Sequence, residues 1–209
     1  MKKLFAYSCL VVVLALSSCG TDNQKLKDTK DQEVCFYTYN HSSSVLEWTA
    51  FKFTEKTGVK GSFNEIIVED PQGSDDPLKV LTGITFKIPT TSVETQNEER
   101  NGKIAGIFFK TLVTDTIRGA IKKIDLKKGS ATIALEMNGK RKEISGKCLL
   151  DNAVFSFSSV IDLNDWNGSA AIKALNTACK ELHTGSDGKS VLWTTVDLSF
   201  TTELTTECN

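Results

Sequence analysis

Beyond Cys35, apolar side chains recur at every second position in segment after segment, and this period of two limits the available folds more than any other feature. Successive side chains on a β-strand point to opposite faces, so alternation commits a segment to one dry face and one wet face. Val80, Ile84, Phe86 and Ile88 share one face, while Thr85 and Lys87 take the other. Ala131, Ile133, Leu135 and Met137 alternate in the same way with Thr132, Glu136 and Asn138. Phe155, Phe157, Ile161 and Leu163 line one side of a further strand, and Val196, Leu198 and Phe200 line one side of the last. Less regular strands are expected over 35–39, 44–53, 59–68, 117–126 and 142–149.

Turn chemistry separates these segments. Asn138-Gly139 joins 131–137 to 142–149 as a two-residue hairpin, because both residues tolerate the left-handed backbone that such a turn needs. Lys127-Lys128-Gly129 and Asp151-Asn152 mark two more turns. Long strands with one apolar face and short links imply a mainly β fold, an antiparallel barrel or sandwich of about eight strands. One or two short helices interrupt it. Thr95-Gln96-Asn97-Glu98 reads as a capping box ahead of a stripe of Ile104, Ile107 and Phe108, with Gly102 and Gly106 shortening or breaking that helix. A second helix is expected over 169–183, with Ile172, Leu175, Cys179 and Leu182 at helical spacing and Gly185 as its stop.

The start of the chain has a different character. Lys2 and Lys3 precede an apolar run over 4–16, too short to span a bilayer but suited to a secretory leader. Leu16-Ser17-Ser18-Cys19 fits the site read by a lipoprotein signal peptidase, where the cysteine thiol is acylated and its freed amine becomes the new N-terminus. The plainer alternative is an ordinary secretory signal with an incidental cysteine. Residues 1–18 are thus expected to be a lipoprotein signal peptide, 19–34 the lipidated Cys19 with a polar tether, and 35–209 a single domain. The expected location is the bacterial cell envelope, lipid-anchored at the periplasmic face or the cell surface.

Charge narrows the partners. Loss of Lys2 and Lys3 moves the formal charge from −1 to −3, and the remaining basic residues are interspersed with acids, so no nucleic-acid partner is expected. Glu69-Asp70 and Asp75-Asp76 form an acidic cluster without regular ligand spacing, and a solvated turn is expected there rather than a calcium loop. Cys35, Cys148, Cys179 and Cys208 remain beyond the anchor. An even count in an oxidising compartment permits two disulfides in any of three pairings. Closing a barrel would bring Cys35, at the first strand, to Cys208, after the last, leaving Cys148 with Cys179. Buried free thiols are the other reading.

Catalytic signatures are missing from the sequence. The two histidines, His41 and His183, have no zinc-ligand spacing, and neither a phosphate loop nor a nucleophile elbow occurs. No catalytic residue, metal or cofactor is therefore assigned, and His183 reads as a helix C-terminal residue in favourable contact with the dipole. Most of the phenylalanines and tryptophans fall on expected strands. They either fill a core or line an apolar cavity, for which about eight strands leave room. The candidate lining is Phe63, Ile84, Phe86, Phe108, Ile133, Leu135, Phe155, Phe157, Val196 and Leu198.

Three pieces, in order, resemble the YceI-like polyisoprenoid-binding family: Ser44-Val45-Leu46-Glu47-Trp48-Thr49; then Val59-Lys60-Gly61-Ser62-Phe63-Asn64; then Asn97-Glu98-Glu99-Arg100-Asn101 leading to Ile107-Phe108-Phe109. The resemblance spans roughly 37–200. It implies a lipocalin-like antiparallel barrel with a helix over it, holding a long apolar lipid (a polyisoprenoid, quinone or fatty chain) without catalysis. Two departures stand out. Relatives typically have an aspartate after the arginine and a histidine shortly beyond, where this chain has Asn101 and Lys103; many have a histidine where it has Ser43, with His41 two positions earlier. If those groups read a headgroup or order the helix, the lipid bound here differs or binds more weakly. The alternative is a filled barrel that serves as a surface interaction or scaffolding module.

Overall fold

Twelve strands carry the chain in the computed structural model, which describes residues 34–209; the leader, Cys19 and most of the tether lie outside the described residues. In chain order the strands are β1 (Cys35–Thr38), β2 (Val45–Lys52), β3 (Thr57–Phe63), β4 (Ile67–Glu69), β5 (Thr85–Pro89) and β6 (Val93–Glu94), followed by β7 (Thr116–Asp125), β8 (Ser130–Met137), β9 (Lys140–Asp151), β10 (Val154–Asp162), β11 (Leu192–Glu203) and β12 (Thr205–Cys208). The helices are α1 (Pro77–Leu81), α2 (Glu98–Lys103) and α3 (Ser169–Ala178).

Ten strands form one antiparallel sheet in the order β4-β5-β7-β8-β9-β10-β11-β2-β3-β6. Although β3 and β4 lie near opposite ends of this order, only residues 64–66 separate them in sequence, so the sheet must curl. The segment 85–94 closes the turn: β5 pairs with β4 and β7, then a single 3-10 turn leads into β6, which pairs Val93 with Phe63. The mainly β, antiparallel, barrel-like fold class holds, with more strands than the expected eight. Asn138 and Gly139 both take positive φ (49° and 64°) between β8 and β9, the left-handed pair that matches strand twist. A separate ribbon pairs β1 with β12, and a disulfide joins Cys35 to Cys208 within it.

Several expectations need correction, among them the single strand over 59–68, which is split into β3 and β4. Val80 does not begin a strand; it lies in α1, where Asp76 accepts the Leu78 N–H at 2.9 Å and Pro77 supplies the preset first turn. Gly83, at φ +92°, then ends that element before β5. The cap of α2 is Asn97, whose side chain accepts the Arg100 N–H at 2.8 Å, rather than Thr95. Thr95 instead donates to Asn101 Oδ1 at 2.6 Å. The α-helical part is short, as the glycines imply: it ends at Lys103, one residue past Gly102, and continues as a π-helical run over Ile104–Phe109. Helix α3 ends at Ala178, earlier than expected, and a 3-10 turn follows over Glu181–His183.

The core gathers the inward faces of the curled sheet under these helices. Trp166 and Phe155 are fully enclosed, and Trp166 donates its indole N–H to the Leu135 carbonyl at 3.4 Å. Cys148 and Cys179 are buried free thiols, so of the two readings left open for this pair the structure takes the second. Cys148 lies on β9 within the sheet and Cys179 at the end of α3, which stands over the sheet.

Candidate ligand cavity

The inward faces do not fill the interior. They leave a cavity of about 190 Å³. Trp48 and Ala50 on β2, Phe63 on β3, Phe86 on β5, Ile133, Leu135 and Met137 on β8, Phe157 and Ile161 on β10, and Val196, Leu198 and Phe200 on β11 all reach it. From above come Ile104, Phe108 and Phe109 of the π-helical run and Ile172 and Leu175 of α3.

Nine of the candidate lining residues meet there: Phe63, Ile84, Phe86, Phe108, Ile133, Leu135, Phe157, Val196 and Leu198. Phe155 does not reach the cavity. Its ring, near the β9–β10 hairpin, packs against Phe200 at a centroid separation of 6.5 Å. Alternation assigned it to the correct face without showing how far along the barrel it would lie. The sequence reading missed Trp48, Trp193, Ile104, Ile172 and Leu175 as lining; the helical stripes carrying the last three were visible, but not what they faced.

Two glycines explain why the aromatic lining leaves space. Gly61 pairs with Trp48 and Gly119 with Phe86 across neighbouring strands, and a Cβ at either glycine would overlap the opposing ring. Each ring therefore lies flat over a bare backbone instead of projecting across the barrel.

The lining offers no polar group to a ligand. Tyr39 bonds its hydroxyl to Ser44, which bonds in turn to Thr202 at 2.8 Å. Trp48 donates its indole N–H to the Ser62 carbonyl at 3.3 Å, and Trp193 donates to the Phe53 carbonyl at 2.7 Å. Burial raises the Tyr39 phenol above its usual range, which keeps it neutral. A water molecule here would lack the two to four polar partners it needs, so the cavity favours apolar matter.

A second cavity, about 300 Å³, shares Trp48, Ala50, Ile104, Leu175 and Leu192 with the first and forms its polar mouth. Its charged and polar wall is Lys52, Asn97, Glu99, Arg100, Lys103 and His183, with Phe51, Val59, Cys179 and Leu182 between them. His183 bonds through Nδ1 to Asn176 Oδ1 at 2.9 Å, and burial, followed by the charges of Lys52 and Lys103, pushes it below the usual imidazole range. The expected dipole contact would raise it instead, so the neighbouring lysines and burial dominate.

The two departures from the family pattern have structural uses. Ser43 donates its hydroxyl to the Glu203 carbonyl at 2.8 Å and accepts the Glu203 N–H at 3.0 Å, clamping the link before β2 to the end of β11. Asn101 accepts from Thr95 and donates to Glu94 at 3.2 Å, tying α2 to β6. In the acidic cluster, Asp76 caps α1, Glu69 pairs with Lys87, and Asp75 lies 3.9 Å from Lys79. Among the described residues no group of His, Cys, Asp and Glu is gathered to hold a metal ion.

A curled antiparallel sheet, a dry chamber within it and helices across its opening define a barrel of the ligand-enclosing kind. The chain belongs to the family of YceI-like domains, whose sequence model matches residues 37–204. Its fold is similar to that of a polyisoprenoid binding domain from Saccharophagus degradans implicated in plant cell wall breakdown, with TM-score 0.57 at 17% identity over 82% of this chain and 98% of that one. It is also similar to BcnA of Burkholderia cenocepacia, with TM-score 0.51 at 15% identity over 80% of this chain and 99% of that one. No curated protein matches the chain by sequence.

Proposed function

We propose that this domain binds and carries a long, isoprenoid-like apolar chain inside its barrel, held at the bacterial cell envelope by a lipid on Cys19. The single observation that carries this reading is a chamber whose lining side chains have spent every polar group on their own protein partners. Each methylene moved from water into such a space contributes about 0.8 kcal/mol, so several isoprene units bind without polar contacts. The S. degradans domain of the same fold, described as polyisoprenoid binding, supports the choice of an isoprenoid.

Size sets a condition. A dry cavity of about 150 Å³ takes up a molecule as large as benzene, so the 190 Å³ here encloses little more than about one isoprene unit. A longer chain requires the helical cap to move or the tail to run out through the mouth. The π-helical run over Ile104–Phe109 is the natural place for that movement, since this winding is rare and concentrates at functional sites.

The test is lipid extraction and mass spectrometry of protein purified from its own host, with intact-mass analysis of the same sample. A co-purifying prenyl or acyl chain and a mature N-terminus at acylated Cys19 are expected. Repeated recovery without lipid would leave a surface interaction or scaffolding module as the reading, and an unacylated product would remove the anchor.

A further inference from the structure

The mouth differs in charge from both the chamber and the chain as a whole. The protein is nearly neutral, with a formal charge of −1, yet the mouth gathers Lys52, Arg100 and Lys103 against a single carboxylate, Glu99. That carboxylate is on the outer rim: its side chain is 78% exposed, against 29% for Lys103, which it pairs at 2.6 Å. Lys52 reaches across the opening to the Leu182 carbonyl at 3.0 Å, and Arg100 forms no salt bridge among the described residues. His183 is on the same wall, where burial and then the charges of Lys52 and Lys103 lower its proton affinity, and the Lys52 bond to Leu182 beside it ties the two sides of the recess together. A positive excess concentrated in a half-buried recess attracts anions more strongly than the same charges spread over a surface.

The geometry points to a headgroup site: Lys52, Arg100 and Lys103 hold a compact oxyanion, a phosphate monoester or carboxylate, at the end of an amphiphile whose tail enters the chamber past Trp48, Ile104 and Leu175. This rests on the carrier reading and adds the ligand class. Lys103 turns from Glu99 to the ligand at little cost, because the existing pair is exposed to solvent on the acid side. Leu182, 61% exposed beside the cations, covers the first carbons of the tail.

The probes are geranylgeranyl monophosphate, geranylgeraniol and inorganic phosphate, titrated into the full-length protein while tryptophan fluorescence is followed, to which Trp48, lining both cavities, and Trp193, lining the first, contribute. The monophosphate is expected to bind at least about tenfold more tightly than the alcohol at low salt, as for a few charge-assisted hydrogen bonds. That margin should shrink in 1 M salt and fall to about twofold in the Lys52→Gln, Arg100→Gln, Lys103→Gln triple variant, which still binds the alcohol. Equal binding of alcohol and monophosphate, or a margin indifferent to both salt and the triple substitution, overturns the headgroup site and leaves the carrier standing. Inorganic phosphate binding as tightly as the prenyl ester also overturns it, because the tail then contributes nothing. Failure of both prenyl probes overturns the carrier reading itself. If the triple variant does not fold, the salt series on the natural protein decides alone.

Discussion

Phe86 and Phe155 are both phenylalanines on inward faces of strands, but one lines the chamber and the other plugs the barrel beside it. Their faces were legible in the alternating pattern; their depth was not, because depth depends on register and on glycines across the sheet. Gly119→Ala should drive the Phe86 ring into the chamber, cutting uptake of an apolar probe about tenfold and costing about 1–3 kcal/mol in denaturant titrations. Unchanged uptake would mean that the ring has another way to turn. His183 carries a pH signature. Its folded-state proton affinity is lowered, so its neutral form contributes stability above the usual imidazole value of 6.5, and that contribution is lost as pH falls through the folded value. Melting temperature should therefore drop between pH 8 and pH 5, and His183→Gln, which can still bond Asn176, should flatten that drop.

At the level of elements, strands were readable and helical detail was not. Val80 and Ile84 fit an alternating strand face, but they are also four residues apart, which equally suits a helix. Asp76-Pro77 and Gly83 settle the matter through cap and turn chemistry. The stripe Ile104, Ile107 and Phe108 announced a helix, yet no local pattern distinguishes the π winding with which Ile104, Phe108 and Phe109 together reach the chamber. The β1–β12 ribbon is a short two-stranded element, marginal by itself. Its disulfide closes 173 residues of chain, so Cys35→Ser should cost about 2–5 kcal/mol of stability under oxidising conditions, and reduction should do the same to the natural protein. A reductant-insensitive melt would show that the bridge does not constrain the unfolded chain.

For the whole molecule, closure and cavity are one problem. The three residues between β3 and β4 force the sheet round, and the 85–94 segment links its two ends by changing partners. That closure was not readable locally, since it depends on pairings between distant segments. Nor was the chamber: the same apolar inventory could have met in the middle, and it is the bare backbone beneath Trp48 and Phe86 that keeps it apart. Diffraction from crystals under xenon pressure reports on that space whatever the natural ligand is. Xenon density is expected within the ring of Phe86, Phe157, Val196 and Leu198, absent from crystals of the Gly119→Ala variant. No xenon there, with those side chains packed against one another, would contradict an open chamber and with it every functional conclusion drawn from it.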